Sequence, residues 1–218
     1  GRAWLPLDRA LALLGCFGVP VPPQALAGSE QEAASAAAKL GFPVALKAVC
    51  EQVTHKSDAG AVRLGVADRE EAAAAFRGIQ EAVARVPGAR LDGVLVQPMA
   101  APGLELILGF QRDPGFGAAV LAGAGGTWVE LLRDVSFRIP PFGAGEARAM
   151  LEELSLHPLL AGSRGRPPLD ARAAAGCILA VARLAQECPE IEELDCNPLV
   201  VYEQGCLALD ARMARRRT

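Results

Sequence analysis

The chain has 218 residues and a net charge of −3, enough for one large domain or two lobes that share a cleft. With no basic excess, nothing in its charge points to nucleic acid. Hydrophobic residues make up 51% but aromatics only 5%, so Ala, Leu and Val must fill the core. Six cysteines lie scattered at 16, 50, 177, 188, 196 and 206, with no CxxC pair and no His at zinc spacing. They read as reduced core thiols of a cytoplasmic protein. No secretory leader or long apolar span is visible, so neither export nor membrane insertion is expected. A first residue of Gly rather than Met fits a domain cut from something longer.

Residues 5–18 are expected to be helical, with Leu5, Leu11, Leu13 and Leu14 as the apolar stripe and Gly15 and Gly18 near the end. Val19-Pro20-Val21-Pro22-Pro23 is an extended linker, because Pro fixes its own φ and pushes its predecessor out of the α region. Residues 24–27 read as a short strand. Ser29 caps a helix that runs to Leu40, where Gly41-Phe42-Pro43 stops it. Residues 43–49 read as a strand with Lys47 among apolar neighbours. Such a lysine either guards a strand edge or meets an anion such as nucleotide phosphate.

The loop 54–60 is polar and holds His55, one of two histidines. A loop histidine is either a solvated turn residue or, as neutral imidazole, a nucleophile that carries a phosphoryl group. His157, before Pro158, reads as structural. Strands follow at 61–66, 91–97, 104–110, 118–121 and 134–139, with Glu105 inside the third. Asp68 caps a helix over 69–86. Two amphipathic helices occupy about 144–154 and 170–187. Residues 98–103 are the best lobe boundary. Gly123-Ala124-Gly125-Gly126-Thr127 offers bare amides that suit phosphate, but no GK[ST] follows, so it is not a P-loop. The basic run 212–217 reads as a solvated or frayed tail.

The last third ends in a predicted β-hairpin. Apolar runs at 193–202 and 206–210 flank a turn that contains Gly205. Asp195 and Asn197 share a strand face. If the loop holds an even number of residues, Asp210 joins that face opposite or diagonal to Asn197, roughly 5–8 Å away. Oxygen-only donors of this kind suit Mg²⁺, which takes one or two protein groups with waters and nucleotide phosphates. The same spacing also describes an ordinary solvated hairpin face.

Taken in order, these features resemble the ATP-grasp domain of the ADP-forming acyl-CoA synthetases, relatives of the succinyl-CoA synthetase β subunit. The resemblance rests on Gly18-Val19-Pro20-Val21-Pro22-Pro23, Gly41-Phe42-Pro43-Val44-Ala45-Leu46-Lys47, His55-Lys56-Ser57-Asp58 and Gly93-Val94-Leu95-Val96-Gln97. It continues through Arg112-Asp113-Pro114, Asp134-Val135-Ser136-Phe137-Arg138 and Leu194-Asp195-Cys196-Asn197-Pro198-Leu199. It implies an α+β ATP-grasp fold in which two α+β lobes clamp a nucleotide. Residues 23–99 would form the N-terminal lobe and 100–218 the C-terminal lobe, with the helix and linker of 1–22 packed on the latter.

By the same resemblance the adenine sits at a hinge of Val96, Gln97, Pro98 and Met99. Lys47 contacts phosphate, Glu105 is an acid on the nucleotide side, and Gly125 and Gly126 line the phosphates. Asn197 and Asp210 are the Mg²⁺ ligands. His55 is the mobile carrier that passes a phosphoryl group to ADP, with Asp195 where relatives carry an acid that steadies the phosphohistidine. The implied reaction is acyl-CoA with ADP and phosphate giving carboxylate, CoA and ATP. ATP/ADP and Mg²⁺ are the implied cofactors. The implied partner is a CoA-binding domain or α-type subunit that carries the acyl-CoA site. Two positions depart from the family pattern: Gly60-Ala61 stands where Gly-Gly is frequent, and Pro98 where Glu is frequent. A degenerate regulatory module of a lysine acetyltransferase and an ATP-grasp carboxylate–amine ligase stay open as alternatives. The ligase needs no carrier histidine.

Overall fold

A computed structural model of the chain describes residues 2–53, 56, 58–126, 134–162 and 165–216. In chain order the elements are β1 (Arg2–Trp4), α1 (Leu7–Cys16), β2 (Ala25–Ala27), α2 (Glu30–Leu40), β3 (Val44–Val49), β4 (Val62–Val66) and α3 (Arg69–Ala84). Then come β5 (Gly93–Pro98), β6 (Leu104–Asp113), β7 (Gly117–Ala124), β8 (Val135–Arg138), α4 (Ala144–Glu152), the one-turn α5 (His157–Leu160) and α6 (Ala171–Glu187). The chain ends in β9 (Ile191–Val201), β10 (Cys206–Ala208) and β11 (Arg212–Arg216). Contacts divide it into two compact units, one of Gly1–Leu5, Arg9–Val21 and Pro102–Thr218, the other of Pro6–Asp8 and Pro22–Ala101. Among the described residues no helix is long and apolar enough to cross a membrane.

The unit built on Pro22–Ala101 has an antiparallel sheet in the order β2-β5-β3-β4. Its two helices begin in the same way. Ser29 Oγ accepts from Glu32 N at 3.2 Å while the Glu32 carboxylate accepts from Gly28 N at 2.7 Å. Asp68 Oδ1 accepts from Glu71 N, and the Glu71 carboxylate accepts from Ala67 N, both at 2.8 Å. Each reciprocal cap satisfies amides that the first helical turn leaves without intrahelical partners. The helices bury Ala33, Ala37, Phe76, Ile79 and Val83 against Val44, Leu46, Ala48, Val94 and Val96. Strand alternation turns Ala45, Lys47, Leu95 and Gln97 to the other face of the sheet.

The larger unit carries, among the described residues, seven strands in the order β1-β11-β9-β6-β7-β8, with β10 also paired to β9. Helix α6 packs on β6, β7 and β9. It buries Ala174, Ile178, Val181 and Leu184. Gly109 is needed where β6 meets β9: a Cβ there would lie 2.2 Å from the Leu194 carbonyl oxygen.

The basic C-terminal run differs from its sequence reading. Rather than a frayed tail, its described part, Arg212–Arg216, is β11, paired with β9 on one side and β1 on the other. Met213 and Ala214 are fully buried, and the arginines around them find partners. Arg212 stacks over the Trp4 ring at 4.0 Å. Arg216 and Arg2 pair with Glu192, at 3.0 and 3.2 Å. The N-terminal segment, expected to open directly with a helix, first supplies β1 to this edge. The other expected elements fall within a few residues of their limits; β7 gains Gly117 and residues 122–124, of which Gly123 and Ala124 come from the predicted glycine loop.

The glycine geometry gives a stability prediction. Gly109→Ala should cost about 2–3 kcal/mol, because the new Cβ meets backbone that has no room to yield. Gly176→Ala in the middle of α6, where a Cβ meets nothing within 4 Å, should instead stabilise by about 0.5–1 kcal/mol. Urea unfolding midpoints of the two variants, moving in opposite directions from the parent, check this; equal shifts would refute it.

Candidate functional site

Strand β9 pairs with β10 through Cys206↔Val201 to Ala208↔Leu199 and with β11 through Arg212↔Asp195 to Ala214↔Glu193. These two ladders share one register. Leu209 N carries it onward by donating to Pro198 O at 3.0 Å. The intervening turn holds four residues, 202–205, closed by Tyr202 N donating to Gly205 O at 3.0 Å. Gly205 takes a φ of +76°, which favours glycine. The loop is therefore even, and the register puts Asp210 across from Asn197.

On its other side β9 meets β6 with Leu106↔Leu199 and Leu108↔Cys196, so Asn197 and Pro198 together oppose the single residue Ile107. This is a β-bulge. Pro198 has no N–H to give β6, and a bulge is where a strand interior tolerates that lack. Bulges also re-aim side chains. Here Asn197 Oδ1 accepts from Gly126 N at 3.0 Å.

Glu105, on β6 opposite Val200, completes the cluster. Its carbonyl accepts from Gly125 N at 2.9 Å, and its carboxylate lies over Gly126. A Cβ on Gly126 would come 1.9 Å from Glu105 Oε2, and the residue's φ is +68°. The positive φ favours glycine, and a larger residue would also push the Glu105 carboxylate aside. Glu105, Gly125, Gly126 and Asn197 are thus brought together, with Asp210 beside Asn197 by register. Asp195, half-buried, lies between Gly109 of β6 and Arg212 of β11. Buried Cys196 sits between Asp195 and Asn197, and its thiol is pushed well up by burial and by the Asp195 and Asp210 carboxylates. Among the described residues no group of three or more His, Cys, Asp or Glu is placed to hold a metal ion.

The hairpin turn is anchored from below by Asp170. Its carboxylate caps α6, accepting from Ala173 N at 2.9 Å, and also accepts from Gly205 N at 2.8 Å. Its own N–H donates to Tyr202 O at 2.7 Å. The Gly205 and Ala173 amides hold the Asp170 carboxyl below the usual carboxylate range. The sequence marks Asp170 as a helix start but gives no sign of its second bond, which comes from a residue 35 positions away.

The remaining candidates lie in the other unit. Lys47 is buried on the sheet face that also carries Gln97. Gln97 is 1% exposed and donates through Nε2 to Gln24 Oε1 at 3.2 Å; Gln24 Nε2 donates in turn to Asp8 O at 3.4 Å. Met99 N donates to Pro43 O at 2.9 Å, and its sulfur accepts from Gly65 N at 3.4 Å. Val96 departs from its expected role. It is fully buried on the helix-covered face and paired with Ala25 on one side and Leu46 on the other, so neither side chain nor strand interior offers a ligand-facing group. His55 lies outside the described residues.

The ATP-grasp domain family matches residues 1–214. The chain belongs to this family. The α+β ATP-grasp fold expected from the sequence is therefore the fold it has. The ATP-grasp chain is 45% identical over 206 residues to the β subunit of ADP-forming acetate–CoA ligase I from Pyrococcus furiosus, which covers 94% of this chain and 89% of that subunit. It is 42% identical to ADP-forming acetate–CoA ligase I from Archaeoglobus fulgidus, over 94% of this chain but only 30% of that longer protein. Among solved structures it superposes with a TM-score of 0.95 on acetyl-coenzyme A synthetase 1 of Ca. Korarchaeum cryptofilum, bound to coenzyme A, Ca-AMPCP and HgCl+; the two are 43% identical over 99% of this chain and 95% of that one. A second structure of that enzyme holds coenzyme A and Mg-AMPPCP, with a phosphohistidine segment pointing towards the nucleotide-binding site (TM-score 0.85, 39% identity, 98% of this chain and 93% of that one).

The Asp170 anchor is testable by pH. Its pKa is lower folded than unfolded, so its stabilisation is present above the unfolded value of about 3.9 and is lost as pH falls through the folded one. Asp170→Ala should cost about 1–2 kcal/mol at pH 7 through the lost cap and turn bond. The gap in urea midpoint between parent and variant should begin to narrow as pH falls below about 4. A gap unchanged between pH 7 and pH 3 counts against the anchor.

Proposed function

We propose that this ATP-grasp chain is the nucleotide-binding, phosphoryl-transfer half of an ADP-forming acyl-CoA synthetase. The overall reaction converts acyl-CoA, ADP and phosphate to carboxylate, CoA and ATP, reversibly. The observation that carries this reading is the cluster on the bulged hairpin. Asn197 and Asp210 face each other across one ladder, with the amide of Gly126 and the carboxylate of Glu105 beside them, in a chain 45% identical to a ligase β subunit.

The donor set fits Mg²⁺. It is oxygen-only, has two members, and leaves the other positions to phosphates and water. When bound, the ion neutralises charge on the nucleotide phosphates. The chain's own residues do the rest. Asn197 and Asp210 hold the ion, and the Gly126 amide keeps the Asn197 carboxamide oxygen turned into the cluster. The Gly125 and Gly126 backbone lines the phosphates. Lys47 brings a positive charge to phosphate, and Gln97 and Met99 flank the adenine; Val96 takes no direct part. The imidazole of His55 accepts a phosphoryl group through an N–P bond and gives it to the terminal oxygen of ADP, with Asp195 steadying the phosphorylated ring. Such transfer depends on positioning and charge neutralisation.

The acyl-CoA site is assigned to a separate CoA-binding domain or α-type subunit. The name of the Pyrococcus relative as a β subunit supports this, as does the greater length of the Archaeoglobus enzyme.

The test is labelling of the full chain with γ-³²P-ATP and Mg²⁺, alongside calorimetry of ADP binding. Acid-labile, base-stable label is expected on the parent and none on His55→Ala. Asp210→Asn should weaken Mg²⁺-dependent ADP binding by about 10–100-fold, or 1.4–2.8 kcal/mol, and leave metal-free binding unchanged. Label that persists in His55→Ala, or ADP affinity indifferent to both Mg²⁺ and Asp210→Asn, would overturn the proposal. Tight Mg²⁺-dependent binding with no label on the parent would instead point to the regulatory module.

A further inference from the structure

Two thiols outside the nucleotide cluster are placed to react with each other. Cys177, in the first half of α6, and Cys206, the first residue of β10, bring their sulfurs within 3.3 Å, although 29 positions separate them in sequence. They are 2% and 5% exposed and share a hydrogen bond. Neither has a part in the proposed reaction. Both line a cavity of about 630 Å³ whose wall also includes Phe17, Gly205 and, at its exposed mouth, Gly176 and Arg183. That volume lies in the range of small-molecule sites. Arg183 is held there by its bond to Phe17 O at 2.8 Å, its stacking on the Phe17 ring at 5.4 Å and its ion pair with Glu187 at 3.7 Å. Most thiols buried this deeply are inert because no reagent reaches them. These two meet a cavity instead.

The geometry points to Cys177 and Cys206 as a dithiol that a low-molecular-weight disulfide, admitted through this cavity, converts to an internal disulfide joining α6 to the hairpin. Cys206, the more exposed of the two, is the first nucleophile. Its thiolate attacks one sulfur of the small disulfide, forms a mixed disulfide and expels one thiolate. The Cys177 sulfur, as it loses its proton, then attacks Cys206 Sγ and expels the second. Two electrons pass to the small disulfide, which leaves as two thiols carrying the two protons. The S–S bond of about 2.05 Å requires the sulfurs to close by roughly 1.2 Å. The tether runs to the ribbon that holds Asn197 and Asp210, but the inference is independent of their role.

Oxidised glutathione, incubated with the native full chain and followed by peptide mapping without reduction, tests this. The expected result is one crosslinked pair, Cys177 to Cys206. It should come with the loss of two titratable thiols of six and a rise in Tm of about 5–10 °C that dithiothreitol reverses. Cys206→Ala and Cys177→Ala should each abolish the crosslink and the Tm rise. If either variant fails to fold, the parent map alone decides. Six free thiols after treatment, a stable glutathione adduct on Cys206, or a crosslink through Cys16, Cys50, Cys188 or Cys196 would each overturn the inference.

Discussion

The larger unit hangs on one strand. β9 pairs with β6, β10 and β11, and its register with each of them fixes where side chains fall. A slip of one residue in a hairpin turns every side chain to the opposite face. The four-residue turn with Gly205 sets the register on one side, and Asp170 holds that turn by two of its polar groups. The bulge at Asn197 and Pro198 sets it on the other. Without the bulge Pro198 would interrupt the ladder to β6. With it, Asn197 is displaced toward Gly126. One irregularity thus accommodates a residue that cannot donate and aims one that can bind.

Close packing then makes glycine obligatory around that strand for different reasons. At Gly109 the constraint is backbone against backbone, and it determines how near β6 can come to β9. At Gly126 the constraint is the positive φ; the Glu105 carboxylate overhead can move. The first belongs to the fold and the second to the cluster. Gly109 stands alone among apolar strand residues, whereas Gly126 ends the run Gly123-Ala124-Gly125-Gly126; a glycine-rich run alone says little about phosphate binding.

Much of this was legible before any coordinates. The caps at Ser29 and Asp68 announce their helices, because a short polar acceptor followed by a good helix former has few other uses. Alternation along β9 put Asp195 and Asn197 on one face. What was not legible is non-local. The parity of the hairpin loop could be stated only as a condition. The Gly126 bond to Asn197 joins residues 71 positions apart. The arginine-rich end reads as a tail because its partners, Trp4, Arg2's strand and Glu192, lie at the far end of the chain or on a different strand. Val96 shows the limit of motif reasoning: a run of consecutive residues names a place in the chain, while alternate residues in a strand face opposite ways.

The smaller unit makes that last point physical. Its central strands present Leu46, Ala48, Val94 and Val96 to the helices and Ala45, Lys47, Leu95 and Gln97 to the other side. An ammonium group left among apolar neighbours without compensation costs several kcal/mol, so a face that keeps Lys47 must also be able to satisfy it. That face is correspondingly polar in places, with the Gln97 amide linked through Gln24 to the main chain of Asp8. Among the described residues the buried polar side chains of this unit, Lys47 and Gln97, both lie on that face. Stability is thus drawn from one side of the sheet, and the charge and hydrogen-bonding capacity that ligand chemistry requires are confined to the other. Changes to the aliphatic residues under α2 and α3 act on folding first, while changes at Lys47 and Gln97 act on the polar face directly.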